Sequence, residues 1–279
     1  MVRIIVDSTS DITPEVKNRL KVVPLTVHFG EEEYIDGVTI NHQKFYEKLV
    51  ESDVLPRTSQ ANPAAFEQVY EEITATGDSA VVITVASKLS GTYQSAVIAS
   101  EDYGNIYVVD SKTVAIGAGI LAEYALELAE SGMEAKDIAA KLEEERDNVC
   151  LIAMLDTLEY LMRGGRISKT AAFAGGLLNI KPVICVKDGE IITLGKARGS
   201  KQGNNLLVTE IEKAGGIDFD KPIMLGYTGL SDVLLQKYIV DSKKLWEKGT
   251  SELRSTPIDS VVGTHAGPGA VAAAFFKKN

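Results

Sequence analysis

The sequence has few cysteines and no excess of basic residues, and both shortages exclude classes of function. Only two of its 279 residues are cysteine, Cys150 and Cys185, and no C-x-x-C pair occurs. A zinc ribbon or a redox pair is therefore not encoded, and both thiols are expected to be free and buried. The net charge of −10 disfavours binding to nucleic acid or anionic lipid, because both need a basic surface.

Membrane-spanning segments and the common nucleotide and metal motifs are also missing from the sequence. No apolar run approaches the ~18 residues that cross a bilayer, and the N-terminal stretch is too short and acidic for a signal peptide. We therefore expect a cytoplasmic protein. Neither G-x-x-x-x-G-K-[ST] nor a G-x-G-x-x-G after a strand occurs, and no His, Cys, Asp or Glu cluster has metal-ligand spacing. Neither a nucleotide pocket nor a metal site is expected.

Strands and helices alternate along roughly the first half of the chain. The runs "VRIIVD", "AVVITVAS" and "NIYVVDSKT" are predicted strands, and continuous β-branched runs are typical of parallel strands covered on both faces. A helix is predicted to begin near Thr92. This alternation predicts an α/β fold with a mostly parallel N-terminal sheet.

The pattern changes after the strand "CLIAML". Asp188-Gly189 is a strong turn signal between two extended runs and predicts a β-hairpin. Together with later helices, the hairpin predicts a mixed C-terminal sheet. We predict two α/β domains, residues 1–155 and 156–279.

Hydroxyl side chains crowd the ends of predicted strands. Ser90-Gly91-Thr92 follows one strand, and Thr58-Ser59-Gln60 is predicted to be a hydroxyl-rich loop. Parallel-sheet folds bind ligands at such strand ends, and helix N-terminal amides with hydroxyls favour negatively charged oxygens. From the residues alone, a capped helix with a tight turn and no ligand explains Ser90-Gly91-Thr92 equally well.

His265 is the histidine best placed for a site. It lies in "VVGTHAGPGA", where a glycine-rich turn follows a predicted strand, and such loops often carry function. A nucleophilic Ser90 paired with His265 is an alternative. It lacks the glycines expected two residues either side of the serine, since Lys88 and Thr92 stand there, and no carboxylate partner is evident.

Two basic segments stand out in the acidic chain. Arg163 and Arg166 flank the glycine pair of "LMRGGRISKT", and Arg198 and Lys201 lie in "GKARGSK". Cations near a helix C-terminus would explain Arg163, whereas a phosphate or an acidic partner is the other interpretation. The roles of Arg166, Arg198 and Lys201 stay open. The small-residue stretch "KTAAFAGGLLNI" predicts close helix packing or a channel for an apolar ligand.

Together these segments resemble the DegV family of bacterial fatty-acid-binding proteins, and the resemblance runs almost from end to end. The matching segments are "DSTSD" at 7–11, "TSQ" at 58–60, "KLSGTY" at 88–93, "VVDS" at 108–111, "LEYLMRGGRIS" at 158–168 and "GTHAGPGA" at 263–270.

The resemblance implies a palmitate-like, long-chain fatty acid in a buried tunnel between two α/β domains. Thr58 and Ser90 would hold the carboxylate, and His265 and Arg163 would support charge if a phosphoryl group arrives. The implied head-group residues are Thr58, Ser59, Ser90, Gly91, Thr92, His265 and Arg163.

The resemblance also implies a partner protein. The chain would be the non-catalytic, acyl-binding subunit of a fatty acid kinase. A separate ATP-binding subunit would phosphorylate the bound carboxylate to an acyl phosphate for phospholipid synthesis. Transient membrane contact is compatible with this role, and no cofactor other than the fatty acid is expected. Two alternatives stay open: a stand-alone serine hydrolase or acyltransferase, and a lipid-sensing regulator.

Overall fold

The computed structural model describes residues 1–168, 179–247, 249–250 and 253–278. The strands are β1 (Val2–Asp7), β2 (Lys21–Val23), β3 (Thr26–Phe29), β4 (Glu32–Ile35), β5 (Arg57–Ser59), β6 (Ser79–Thr84), β7 (Ile106–Asp110), β8 (Val149–Met154), β9 (Ile180–Lys187), β10 (Glu190–Arg198), β11 (Met224–Tyr227), β12 (Ser255–Pro257) and β13 (Val271–Phe276). The helices are α1 (Pro14–Lys17), α2 (His42–Glu51), α3 (Pro63–Thr74), α4 (Thr92–Ser100), α5 (Ala115–Glu130), α6 (Ala135–Glu145), α7 (Glu159–Arg163), α8 (Gly199–Lys213), α9 (Val233–Asp241), α10 (Lys243–Trp246) and α11 (Ser260–Ala266). Most of the small-residue stretch, 169–178, lies outside the described residues.

The N-terminal sheet is parallel throughout, as predicted. Its strand order is β2-β1-β6-β7, and α5 and α6 pack on one face while α3 and α4 pack on the other. Val81 and Val82 are both fully buried, in different apolar clusters, because successive side chains of β6 face opposite layers. This two-sided burial is why the strand is an unbroken apolar run.

The C-terminal sheet is mixed, which confirms the second part of the predicted fold class. Its order is β10-β9-β8-β13-β11-β12, and only β11 and β12 pair in parallel. The predicted hairpin is present, with Asp188 (φ 51°) and Gly189 (φ 78°) at its turn. Strand β8 precedes the predicted boundary near residue 155, yet it pairs with β9 and β13 in this second sheet.

A third, small sheet corrects the interpretation of the Thr58-Ser59-Gln60 segment. Arg57–Ser59 forms an edge strand that pairs antiparallel with β3, with Val27 opposite Thr58. A loop was predicted there because three residues are too few to show the alternation that marks a strand. Pairing with β3 fixes the direction in which each of these side chains points.

The predicted strand before His265 is also corrected. Only Ser255–Pro257 is extended, and Ser260–Ala266 is the helix α11, so His265 lies in the last turn of a helix. The β-branched Val261 and Val262 favoured a strand locally, but tertiary packing overrides so weak a propensity. Gly267, with φ of 68°, ends the helix through its amide, which donates to the Gly263 carbonyl.

Helix α5 joins the two large sheets. It packs on β1 and β6 of the parallel sheet and on β8, β11 and β13 of the mixed sheet, so one apolar core spans both. Its first residue, Ala115, lies at the space between the parallel sheet and the mixed sheet. Within the described residues, no helix combines the length and apolar character that a membrane span requires.

Candidate ligand-binding site

A cavity of about 400 Å³ lies between the parallel and mixed sheets. It is lined by Val85 after β6, by Ala115 at the start of α5, and by Leu151 and Leu155 at or just beyond β8. Both sheets therefore contribute to its wall, which is mostly apolar. Such a volume lies within the usual range of small-molecule sites, about 300–1,000 Å³.

The floor of the cavity is a row of mostly small residues in register across the mixed sheet. Ile184 pairs with Ala153, Ala153 with Ala272, and Ala272 with Gly226, and all four line the cavity. Because residues directly opposite one another on neighbouring strands point to the same face, they form one continuous strip. Their missing side-chain volume leaves room above the sheet.

The polar end of the cavity contains a hydrogen-bonded Thr58 and His265. Thr58 Oγ1 lies 2.9 Å from His265 Nε2, although 207 positions separate the two residues. Burial, and to a lesser degree the Arg166 cation, lowers the pKa of His265 to about 4. The imidazole is therefore neutral at physiological pH. Its Nδ1 atom is buried and has no hydrogen-bond partner among the described residues.

Ser90 lies at the cavity with Thr92 directly behind it. Ser90 Oγ is 2.9 Å from Thr92 Oγ1, and the Thr92 amide donates to Ser90 Oγ at 3.3 Å. Thr92 is fully buried and does not line the cavity. A side chain on Gly91 would collide with the amide group of Gln60, which also lines the cavity. Glycine at position 91 thus leaves room for the Gln60 amide group next to Ser90.

Ser59 reaches the cavity differently from Thr58. Neighbouring side chains on β5 point to opposite faces, and Ser59 Oγ lies 2.9 Å from His28 Nε2 on the other face. The hydroxyl of Ser59 is thus directed away from Thr58.

The arginine at the cavity is Arg166, while Arg163 lies outside the lining. Arg163 is exposed and pairs with Glu159 at 2.6 Å, one helical turn away. Arg166 donates from Nε to the Leu89 carbonyl at 3.1 Å and from Nη1 to the Gly164 carbonyl at 2.7 Å. Burial lowers the pKa of its guanidinium, which still remains charged at neutral pH. The motif "LEYLMRGGRIS" contains both arginines and so pointed to Arg166 as well as Arg163. The sequence alone could not show which of the two side chains faces the cavity.

The structure thus brings five of the seven implied head-group residues to one cavity. They are Thr58, Ser59, Ser90, Gly91 and His265. Sequence reasoning missed Gln60 as a lining residue, because nothing local distinguishes its amide from a solvent-exposed one. Arg198, the last residue of β10, and Lys201, in the first turn of α8, do not line the cavity.

The cysteines and acidic side chains do not form a metal site in the described part of the chain. No group of three or more His, Cys, Asp or Glu residues there is arranged to hold an ion. Cys150 and Cys185 are free and half-buried, less enclosed than predicted, and Cys185 lines the cavity. Burial raises the pKa of both thiols, which disfavours the reactive thiolate.

Comparison with solved structures shows proteins of the same fold that are described as binding fatty acids. A fatty-acid-binding DegV family protein from Thermus thermophilus is 30% identical, with a TM-score of 0.87 and 99% of each chain covered. A stearic-acid-binding protein from Eubacterium ventriosum is 27% identical, again with a TM-score of 0.87 and 99% of each chain covered.

Sequence comparison agrees over the same length. A DegV domain-containing protein of Caldanaerobacter subterraneus subsp. tengcongensis is 34% identical over 282 aligned residues, covering 99% of each chain. The family model described as "Uncharacterised protein, DegV family" matches residues 1–278. Since both comparisons span nearly the entire sequence, this chain belongs to the DegV family.

Proposed function

We propose that this chain binds one long-chain fatty acid, with the carboxylate at Thr58 and Ser90 and the acyl chain in the apolar cavity. The observation that carries the proposal is the pairing of a largely apolar cavity with two hydroxyls at one end. Fatty-acid binding by the Thermus thermophilus and Eubacterium ventriosum proteins supports the same ligand class.

The hydrogen bond between His265 and Thr58 has a preferred direction. Among the described residues the buried Nδ1 has no partner, and a buried N–H without a partner is rarer than a buried acceptor without one, which favours a lone pair at Nδ1. If Nδ1 carries the lone pair, Nε2–H donates to Thr58 Oγ1. The hydroxyl proton of Thr58 is then free for the ligand carboxylate.

The Ser90 hydroxyl is supported in the same way. Thr92 donates to Ser90 through its amide, and its hydroxyl is close enough to donate as well. Ser90 then accepts from Thr92 and donates to the ligand. Two donating hydroxyls, with the Arg166 cation nearby, suit a carboxylate that would otherwise take up a proton on burial.

The acyl chain supplies most of the binding free energy. About 15 buried methylenes at about 0.8 kcal/mol each contribute on the order of 10 kcal/mol before ordering costs. The hydroxyls then determine orientation and selectivity for an acid over an alcohol or an ester.

We further propose that the chain presents its bound acid to a separate ATP-binding kinase subunit in the cytoplasm. The lack of a nucleotide motif supports this division of labour. Palmitate-loaded protein with ATP alone should form no acyl phosphate, whereas addition of the kinase subunit should form one that hydroxylamine traps as a hydroxamate. Hydroxamate formed with the chain and ATP alone would contradict the proposal. So would the absence of hydroxamate with every ATP-binding kinase subunit that acts with DegV family proteins.

Hydrolase or acyltransferase activity is less well supported. Ser90 Oγ is bonded to Thr92, whereas His265 Nε2 is bonded to Thr58, so the serine and the histidine have different partners. A fluorophosphonate probe separates the two functions: labelling that disappears in Ser90→Ala would favour the hydrolase. A lipid-sensing regulator would bind the acid as proposed but would fail the hydroxamate assay.

The ligand itself is tested with [1-13C]palmitate added to delipidated protein. We expect a single bound carboxyl resonance whose chemical shift stays that of the ionised acid well below the usual carboxyl pKa, because donors hold the charge. A bound resonance identical to that of free or micellar palmitate would contradict the proposed head-group site.

A further inference from the structure

The imidazole of His265 rests on a glycine of a different segment. A side chain on Gly164, just after α7, would collide with His265 Nδ1 and would lie 2.8 Å from Cε1 of the same ring. The ring therefore occupies the volume that a side chain at position 164 would fill.

The contact is reciprocated. A side chain on Gly267, just after α11, would collide with the ring of Tyr160 on α7. The α7 segment thus contributes the Tyr160 ring, which packs on Gly267, and the α11 segment contributes the His265 ring, which packs on Gly164. On another side of α11, Gly263 lies against Phe45 and Tyr46, where a side chain would come within 2.8 Å of the Phe45 ring and 2.5 Å of the Tyr46 hydroxyl.

Packing, and not a hydrogen bond, orients the His265 ring from the Gly164 side. Histidines at functional sites are usually oriented by a hydrogen bond at the second ring nitrogen. Here that nitrogen, Nδ1, is buried, faces Gly164 and has no hydrogen-bond partner in the part of the chain that the structure describes. The shape of the segment just after α7 then limits how far the ring can move from the position at which Nε2 contacts Thr58.

We propose that Gly164 is a positioning residue: because it has no side chain, the His265 ring can lie within hydrogen-bond distance of Thr58. The inference rests on the proposed function, in which Thr58 holds the carboxylate. The backbone itself does not require glycine there, because Gly164 has φ of −73° and ψ of −10°, which any residue adopts. Its neighbour Gly165, with φ of 74°, is the glycine that the backbone needs.

The test is Gly164→Ala, with Gly104→Ala as the matched control. Gly104 is exposed, has no positive φ and would meet nothing within 4 Å. The ring resonances of His265 are followed by NMR in delipidated protein, with His28 and His42 as internal references. Gly164→Ala should raise the His265 titration midpoint from about 4 towards 6.5 by moving the ring away from its buried place, and Gly104→Ala should not.

Coupling to Thr58 separates positioning from a general structural effect. Thr58→Val should shift the His265 resonances in the wild-type background. In a protein that already carries Gly164→Ala, Thr58→Val should shift these resonances little. Gly164→Ala should also weaken palmitate binding about tenfold, in line with one lost hydrogen bond to a charged group. Unchanged His265 signals in Gly164→Ala would overturn the inference.

A stability cycle covers the case in which Gly164→Ala folds poorly. In the wild-type background, Gly164→Ala should lower Tm by about 3–6 °C, as overpacking does. In a protein that already carries His265→Ala, the same substitution should change Tm little. An equal loss in both backgrounds, or failure of both variants to fold, would overturn the inference. If these couplings are found but palmitate does not bind, the proposed function fails and the packing role of Gly164 stands.

Discussion

At the residue scale, the proposed site requires that the hydroxyls of Thr58 and Ser90 are free to donate hydrogen bonds to a carboxylate. Replacing Thr58 by Val keeps the shape and removes the donor, and Ser90→Ala removes the other. We expect each change to weaken palmitate binding roughly tenfold or more, since a hydrogen bond to a charged group contributes about 1.5–3 kcal/mol. Competition with a fluorescent fatty acid measures the loss.

Matched controls lie in the same half of the molecule. Thr74→Val changes a hydroxyl that donates to the Tyr70 carbonyl, and Ser100→Ala changes one at the opposite end of the helix that follows Ser90. Both should leave palmitate affinity unchanged. Equal losses in the controls and the site variants would remove Thr58 and Ser90 from the head-group site.

The buried imidazole also predicts a pH dependence of stability. The folded-state pKa of His265, about 4, lies below the ordinary value of 6.5, so the unfolded chain binds more protons between these pH values. Stability should therefore rise with pH across that window. Relative to His265→Gln, the wild type should gain about 2–3 kcal/mol between pH 4 and 6.5, measured by urea unfolding. A constant difference between the two proteins would show that the imidazole is not shielded.

At the element scale, helix α11 is held at its N-terminus by carboxylates from distant loops. Asp11 accepts from the Asp259 amide at 2.8 Å, and Asp36 accepts from the Ser260 hydroxyl. Lys17 lies 3.5 Å from Asp259. Carboxylates at a helix N-terminus are favoured, yet burial and the negative charge of Asp259 raise the pKa of both Asp11 and Asp36.

This cluster predicts a pH effect opposite to that of His265. The pKa of Asp36 is raised from 3.8 to about 6, so the folded protein binds more protons in that window and loses stability as pH rises. Asp36→Asn abolishes the ionisation. Its stability relative to the wild type should increase by about 2 kcal/mol from pH 4 to pH 6.5. A relative decrease over the same range would contradict the assigned direction.

Elements were predictable where their signals are local. The Asp188-Gly189 hairpin and the buried β6 follow from turn chemistry and a continuous apolar run, and both are present. The segments of Thr58 and His265 were misassigned because β5 depends on pairing with β3, and α11 depends on packing against α2, α7, β3 and β5. Short elements of this kind are specified by tertiary contacts that a local pattern does not contain.

At the scale of the whole molecule, the sheet types were predictable but the site geometry was not. Residues at strand ends indicated which side chains to consider. Which of them converge depends on contacts such as that between Thr58 and His265, 207 positions apart. The choice of Arg166 over Arg163 depends likewise on a carbonyl from a distant loop, that of Leu89.

Ligand binding should stabilise the molecule as a unit, because one core spans both sheets and contributes residues to the cavity wall. Palmitate at 100 times its Kd should add about 2.7 kcal/mol, which raises Tm by several degrees in a single transition. Hexadecanol, which lacks the carboxylate, should raise Tm less. Equal shifts from both ligands in calorimetry would contradict the head-group assignment.

Fatty-acid binding is tested most directly by the mass of the intact protein under native conditions, followed by the mass after denaturation. We expect one additional long-chain fatty acid per chain in the native spectrum, lost on denaturation and recovered unmodified in an organic extract. Protein that carries no acyl chain, and acquires none when delipidated samples are incubated with palmitate, would contradict the proposed binding.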